Sequence, residues 1–227
     1  MKRPLSIDPR TTAALFVDLQ EEHRQDERYL VAGFDRVIAN VGRLQQRARA
    51  VGIPVFHSAY IVDPATRSER PYHPVLPDGR SAFSDKDDPR TAVCAEVGPV
   101  GDEPLLVKTE ASAFGVQSLA DELRSRGVVW LMVAGVWTEA CIAATVRDAM
   151  ALGFRAMVVK DACASGTEAM HETAILNLAN RLYGGAVVAT SDAIRLMNRE
   201  TIDVWQVQGP VPFRFTYATA AALYEAM

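Results

Sequence analysis

Cys141 ends the turn Ala134-Gly-Val-Trp-Thr-Glu-Ala140, which follows the apolar run Val128–Val133 and precedes Ile142–Met150, where apolar residues recur at helical spacing. That order predicts a strand, a tight turn and a helix with a thiol at its start. Unpaired backbone N–H groups and the positive end of the helix dipole favour thiolate there, which suits a nucleophile. Cysteine also packs as a small hydrophobe, and a lone cysteine at a helix start is more often that. Two other residues bear on the choice. Asp18 lies at the end of the apolar run Thr12–Leu19, as a site carboxylate or as the N-cap of the next segment. Lys108 ends the run Pro104–Lys108; a lysine at a strand end is most often a surface cation whose stem lies along the protein.

Brought together, an acid, a lysine and a cysteine make an amidase centre. The ammonium lowers the cost of a thiolate, and the carboxylate takes the thiol proton and hands it to a leaving amine. The sulfur forms a thioester that water then clears. Backbone N–H groups at the start of the Cys141 helix can hold the oxyanion. This chemistry needs a small-molecule substrate and neither metal nor organic cofactor.

Residues this far apart in sequence meet only if the fold collects them. Strand-like runs at Thr12–Leu19, Ile53–Tyr60, Pro104–Lys108, Val128–Val133, Phe154–Lys160 and Ala186–Ala189 alternate with helical patterns. The helices are Phe34–Ala50, Ser118–Arg126, the segment after Cys141, Glu168–Leu182, and Asp192 to about Asn198. This rhythm predicts an α/β fold: a three-layer, six-stranded, mostly parallel, doubly wound Rossmann-like sheet with helices on both faces. Parallel sheets gather the carboxyl ends of their strands at one edge, and Asp18, Lys108 and the Gly135–Cys141 turn all lie at such ends.

Residues 61–104 are rich in proline and charge and show no sustained period, as in a long excursion over that edge. His57, Asp63, His73 and Asp78 lie in or beside it, but no HxH or HxxxH spacing puts two imidazoles on one ion, and no metal is expected. Cys163, in a small-residue stretch after the fifth strand, is expected to be structural.

The chain has 227 residues, 49% apolar and 23% charged, which fits one domain over residues 1–200. Residues 201–227 depart from the βα rhythm and read as an aromatic-rich extension packing on the domain or on a neighbouring subunit of a homo-oligomer, dimer or tetramer. Lys plus Arg is 24 and Asp plus Glu 28, and a net charge of −4 gives no reason to expect nucleic acid or an anionic membrane as partner. Cys94, Cys141 and Cys163 form no CxxC pair and are expected to be reduced thiols. No secretory apolar stretch follows the N-terminal basic residues, and no apolar run approaches the ~18 residues of a membrane span, so a cytoplasmic protein is expected.

Four segments in order resemble the isochorismatase-like cysteine hydrolases, a family that includes nicotinamidases and N-carbamoylsarcosine amidase. Gly135-Val-Trp-Thr-Glu-Ala-Cys141-Ile-Ala-Ala-Thr145-Val-Arg-Asp-Ala149 is similar to the family's G-V-x-T-[DE]-x-C-V-x-x-T-x-x-D-A. Lys108 with Ser112-Ala113-Phe114 resembles K-x-x-x-S-A-F, Asp18-Leu-Gln20 resembles D-M-Q, and Val159-Lys-Asp161-Ala162 resembles V-x-D-A. The resemblance implies a catalytic triad of Asp18, Lys108 and Cys141. It also implies a cis peptide between Val136 and Trp137, and an oxyanion hole from the N–H groups of Trp137 and Cys141. Trp137 replaces a commoner alanine and is expected to wall a substrate pocket with His23, Tyr60 and Phe114. The family's Asn-Asp-Phe after D-M-Q is here Glu21-Glu22-His23, and the Asp-x-His metal motif of nicotinamidases is absent from Phe56-His57-Ser-Ala-Tyr60.

The reading that follows is hydrolysis of a small amide or ureido-type C–N bond through a cysteinyl thioester. Alternatives are a non-catalytic binding or scaffold protein on the same fold, and a vinyl-ether hydrolase of the isochorismatase kind, which uses the acid rather than a thiol.

Overall fold

The computed structural model describes residues 2–69, 72–210 and 212–227. Along the chain these form β1 (Lys2–Leu5), β2 (Thr12–Val17), α1 (Glu22–Gln25), α2 (Phe34–Ala50), β3 (Val55–Tyr60), β4 (Leu105–Lys108) and α3 (Ser118–Ser125). Then come β5 (Trp130–Val136), α4 (Ala143–Ala151), β6 (Arg155–Ala164), α5 (Glu168–Ala179), β7 (Ala186–Val188), α6 (Thr190–Met197), β8 (Ile202–Trp205) and α7 (Ala220–Glu225).

Local sequence explains the main elements. In α2 the apolar residues spaced three and four apart, from Phe34 to Ala48, are all buried against the sheet. Strands β2 and β5 are buried along their whole length, which is why they read as continuous apolar runs rather than alternating ones. Helix α5 begins where the Thr167 hydroxyl accepts the Met170 N–H at 3.1 Å, satisfying one of the donors a helix start leaves free.

Among the described residues the sheet has eight strands in the order β1-β8-β7-β6-β5-β2-β3-β4, not the six expected. The six expected strands are β2 to β7, and they pair in parallel. The added two are four-residue strands at one side of the sheet: β1 forms its edge, and β8 lies between β1 and β7, antiparallel to both. Both are too short to show a period, and Pro4 in β1 is tolerated only at such an edge. A second difference concerns β6, which runs on to Ala164, so Cys163 lies inside the strand, buried against β5.

The chain leaves β2 for β3 in one direction and later leaves β5 for β6 in the other. The strand order therefore reverses between β2 and β5, and a ligand crevice opens at the carboxyl ends of such a pair. Their contact is close. Gly135 has φ 126°, and a Cβ there would run into the Val17 carbonyl oxygen.

Among the described residues of 61–104 the regular structure is limited to short 3-10 turns and isolated β-bridges, and side chains that follow β2 pin the segment across the edge. The Gln20 amide donates to the Tyr60 and Thr91 carbonyls at 3.0 and 2.8 Å and accepts the Tyr60 N–H at 2.9 Å. The Glu22 carboxylate accepts the Ser84 N–H at 2.9 Å and its hydroxyl at 2.5 Å. Residues of 201–227 make contacts with earlier parts of the chain: Asn180 exchanges hydrogen bonds with the Phe213 backbone, and Lys160 donates to the Tyr224 carbonyl at 2.6 Å. No helix among the described residues is long and apolar enough to cross a membrane.

Candidate active site

Four neighbouring strands, β5-β2-β3-β4, deliver the side chains of the site from their carboxyl ends. Asp18 directly follows β2 with φ 54°, a left-handed conformation that aspartate tolerates better than most residues. Lys108 is the last residue of β4, two strands away, or about 10 Å at ordinary strand spacing. Its long side chain covers that distance by passing 5.0 Å from the Tyr60 ring centroid at the end of β3. Nζ then donates to Asp18 Oδ2 at 2.7 Å and to the carbonyls of Glu110 and Ala111 at 3.1 Å each. It also stands 3.4 Å from Cys141 Sγ. The second Asp18 oxygen accepts the Ser58 hydroxyl at 2.8 Å. Asp18 and Lys108 are almost fully buried, with side-chain exposures of 3% and 0%.

Cys141 lies in one turn of π helix, Thr138–Ile142, which leads into α4. The peptide bond between Val136 and Trp137 just before it is cis. The thiol differs from the thiolate expected at a helix start. Burial pushes it up to about 12, the Asp18 carboxylate pushes the same way, and Lys108 opposes both. Desolvation and a neighbouring anion outweigh one ammonium, which favours a neutral S–H in the resting site.

The other recurring motif residues hold these parts in place. Thr145 on α4 accepts the Ala113 N–H at 3.0 Å and so ties the segment after Lys108 to the helix that follows the thiol. Asp161 accepts both the Thr190 N–H and hydroxyl, at 2.6 and 2.8 Å, at the start of α6, away from the thiol.

Above the three residues lies a cavity of about 630 Å³. Asp18, Cys141, Ala140 and Trp137 line its floor side, Tyr60 and Thr109 come from the ends of β3 and β4, and His23, Arg28 and Tyr29 follow β2. The long segment supplies Phe83 and Ser84 to the cavity wall. Phe83 packs against Tyr29, Tyr60 and His73 with ring centroids 5.5, 5.8 and 4.9 Å away, giving the cavity an aromatic roof. The Trp137 indole N–H donates to His23 Nδ1 at 3.4 Å, and its ring lies where a Cβ on Gly166 would come within 2.8 Å. Three of the four expected pocket residues, His23, Tyr60 and Trp137, line the cavity. Phe114 does not: its ring stacks on Phe154, at 5.9 Å and 20°, and packs against the core. The backbone of its 3-10 turn is held by Thr145 and Ser112 and faces the ring away from the thiol. Arg28, Tyr29 and Phe83 were not singled out in the sequence, because nothing in their local spacing shows which way a loop folds.

The residues weighed for a metal are each engaged separately. His57 bonds Glu103 at 2.9 Å in the core, His73 bonds Ser81 at 2.7 Å, and Asp63 and Asp78 cap their own turns. Among the described residues Glu21, Cys94 and Glu96 could converge on an ion, but the Arg24 guanidinium bridges both carboxylates.

A profile described as the isochorismatase domain matches residues 12–193. The chain is 30% identical over 195 residues to the ureidoacrylate amidohydrolase of Methylobacterium radiotolerans, covering 77% of this chain and 76% of that protein. It is 36% identical over 107 residues to the maleamate amidohydrolase of Pseudomonas putida, covering 47% and 49%. The crystal structure of an isochorismatase family protein from Desulfovibrio vulgaris superposes with a TM-score of 0.74 at 28% identity, over 83% of this chain and 99% of that one.

Proposed function

The chain belongs to the isochorismatase family of hydrolases, and from that membership we propose that it cleaves a small amide or ureido-type C–N bond through a thioester on Cys141. The observation that carries this reading is the position of Lys108 Nζ, which touches both the Asp18 carboxylate and the Cys141 sulfur beside the cavity that these two residues line.

As the sulfur attacks the substrate carbonyl, the thiol proton passes to Asp18 and a C–S bond forms. The negative charge moves to the carbonyl oxygen, where the N–H groups of Trp137 and Cys141 stabilise it. Collapse of the tetrahedral intermediate breaks the C–N bond, and Asp18 returns its proton to the departing nitrogen. Asp18 then takes a proton from water as the hydroxide adds to the thioester, the C–S bond breaks, and Asp18 passes that proton to the departing sulfur, releasing the carboxylic acid product and restoring the free thiol. Lys108 holds the Asp18 side chain in position while that side chain receives and returns the proton, and in the resting site the two buried groups satisfy each other.

The two curated relatives carry names of amidohydrolases acting on ureidoacrylate and maleamate, both short carboxylates. In this chain Arg28, itself paired with Asp26 at 2.6 Å, lines the cavity wall with Trp137, Tyr29, Tyr60 and Phe83, which hold the acyl group. An ammonia-release screen over amides, ureas and ureido acids tests the reading. Turnover that vanishes in Cys141→Ser, with an acyl adduct on Cys141 seen by mass spectrometry, is expected. Undiminished turnover in Cys141→Ser overturns it.

A further inference from the structure

Thr138 belongs to the turn that carries Cys141, yet its side chain is fully buried and has no part in the chemistry above. Its hydroxyl donates to the Ala164 carbonyl at the end of β6, 2.9 Å away, and lies 2.7 Å from His171 Nδ1 on α5. A hydroxyl has one proton. With that proton on Ala164, His171 must carry its own on Nδ1 and donate to Thr138, which leaves Nε2 as an acceptor. The Tyr224 hydroxyl stands 3.0 Å from Nε2 and completes the chain. Its direction is fixed throughout: Tyr224 donates to His171, His171 to Thr138, and Thr138 to Ala164. Burial keeps the imidazole neutral, as this arrangement requires.

Tyr224 is itself held. Its ring meets His171 edge-on at 5.4 Å, while Lys160 Nζ lies 4.4 Å from the ring centroid and donates to the Tyr224 carbonyl at 2.6 Å. It sits in α7, a helix of six residues that is too short to persist without tertiary contacts and that lies beyond the matched residues 12–193. A polar cavity of about 530 Å³, lined by Lys2, Lys160, Asp161, His171 and Tyr224, lies beside the chain of hydrogen bonds and leaves room for α7 to shift.

We propose that α7 is a positioning element of the active site: Tyr224, acting through His171, fixes Thr138 and with it the Trp137–Cys141 turn that aims the nucleophile and the two oxyanion donors. Its consequence for turnover rests on the cysteine-hydrolase reading; the mechanical coupling does not. Neither Tyr224 nor His171 touches the reacting atoms. They act on where the turn stands, and a displacement of about 1 Å there costs on the order of a hundredfold in rate.

Tyr224→Phe removes the hydroxyl while keeping the ring, and two measurements read its effect. Hydrogen exchange is followed in peptides covering residues 137–142 and, as a reference, α5 and β6. Acylation of Cys141 is followed with p-nitrophenyl acetate, in which the C–S bond forms, p-nitrophenolate leaves, and mass spectrometry locates the acetyl group. Exchange at 137–142 is expected to rise about fivefold and acylation to slow about tenfold, with the reference peptides unchanged. Thr138→Val should reproduce both changes, Thr138→Ser should retain wild-type behaviour, and Tyr224→Phe added to Thr138→Val should add little. Wild-type exchange and acylation in Tyr224→Phe overturn the proposal, as does a uniform rise in exchange across α5 and β6 with acylation unaltered. A wild-type Cys141 that never acylates instead counts against the hydrolase reading, and the exchange data still decide the coupling.

Discussion

Lys108 and Asp18 form an ion pair, Nζ to Oδ2 2.7 Å, from which solvent is all but excluded. Each charge is tolerable only because of the other. Lys108→Ala or Asp18→Ala strands a buried charge and is expected to cost about 3–5 kcal/mol of stability. Replacing both, as Asp18→Asn with Lys108→Met, should return most of that stability while leaving the enzyme without turnover. Urea unfolding of the three variants beside wild type measures it; a double variant as unstable as the singles would contradict the pairing.

The neutral Cys141 thiol sets its reactivity. With the thiol held up to about 12, iodoacetamide labelling of Cys141 should climb about tenfold per pH unit from 7 to 10 without a plateau. Asp18→Asn removes the anion that holds the proton and should speed labelling at pH 8, whereas Lys108→Met should slow it. Peptide mapping distinguishes Cys141 from Cys94 and Cys163, which are buried.

Stability should fall on both sides of neutrality. Cys94, Cys141 and Cys163 are each raised from 9.0 to about 12, so between those values the folded state binds more protons than the unfolded one and stability drops as pH rises past about 9. His23, His57 and His171 are lowered from 6.5 by burial, His171 to about 4, so below 6.5 the unfolded chain binds more protons and stability drops as pH falls. Thermal midpoints across pH 4 to 11 should form a plateau between these limbs, and a flat profile below 6.5 would remove the buried histidines from the account.

Gly135 and Gly166 leave room for specific neighbours. Gly135→Ala forces a Cβ into the Val17 carbonyl at a φ of 126°, and a loss of about 3 kcal/mol or more, or failure to fold, is expected. Gly166→Ala pushes on the Trp137 ring, so it should be damaging alone and nearly silent in a Trp137→Ala background. Unfolding midpoints of the four-member cycle decide this; simple additivity would mean that the two do not compete for space. Trp137→Ala should also widen the cavity and shift preference toward bulkier acyl groups.

Much of this protein is legible along the chain. The apolar spacing of α2 gives its limits, and continuous apolar runs give β2 and β5, because burial on one stripe or on both faces leaves a pattern within a dozen residues. The alternation of such runs gives the parallel sheet, and the sheet places Asp18, Lys108 and Cys141 on one edge. Other features depend on partners far away in sequence. Strands β1 and β8 exist because residues 2–5 meet 202–205, and four residues carry no period of their own. Phe114, expected in the pocket, packs elsewhere, and Phe83, not singled out, lines it, because the direction of a loop side chain follows from what its backbone is pinned to, here Thr145 for one and Glu22 beside the other. The thiol shows the division most clearly. Sequence determined that a cysteine would stand at a helix start beside an acid and a lysine. Only the tertiary structure decided which way its pKa moves, since desolvation depends on everything packed around the sulfur and here outweighs the Lys108 ammonium.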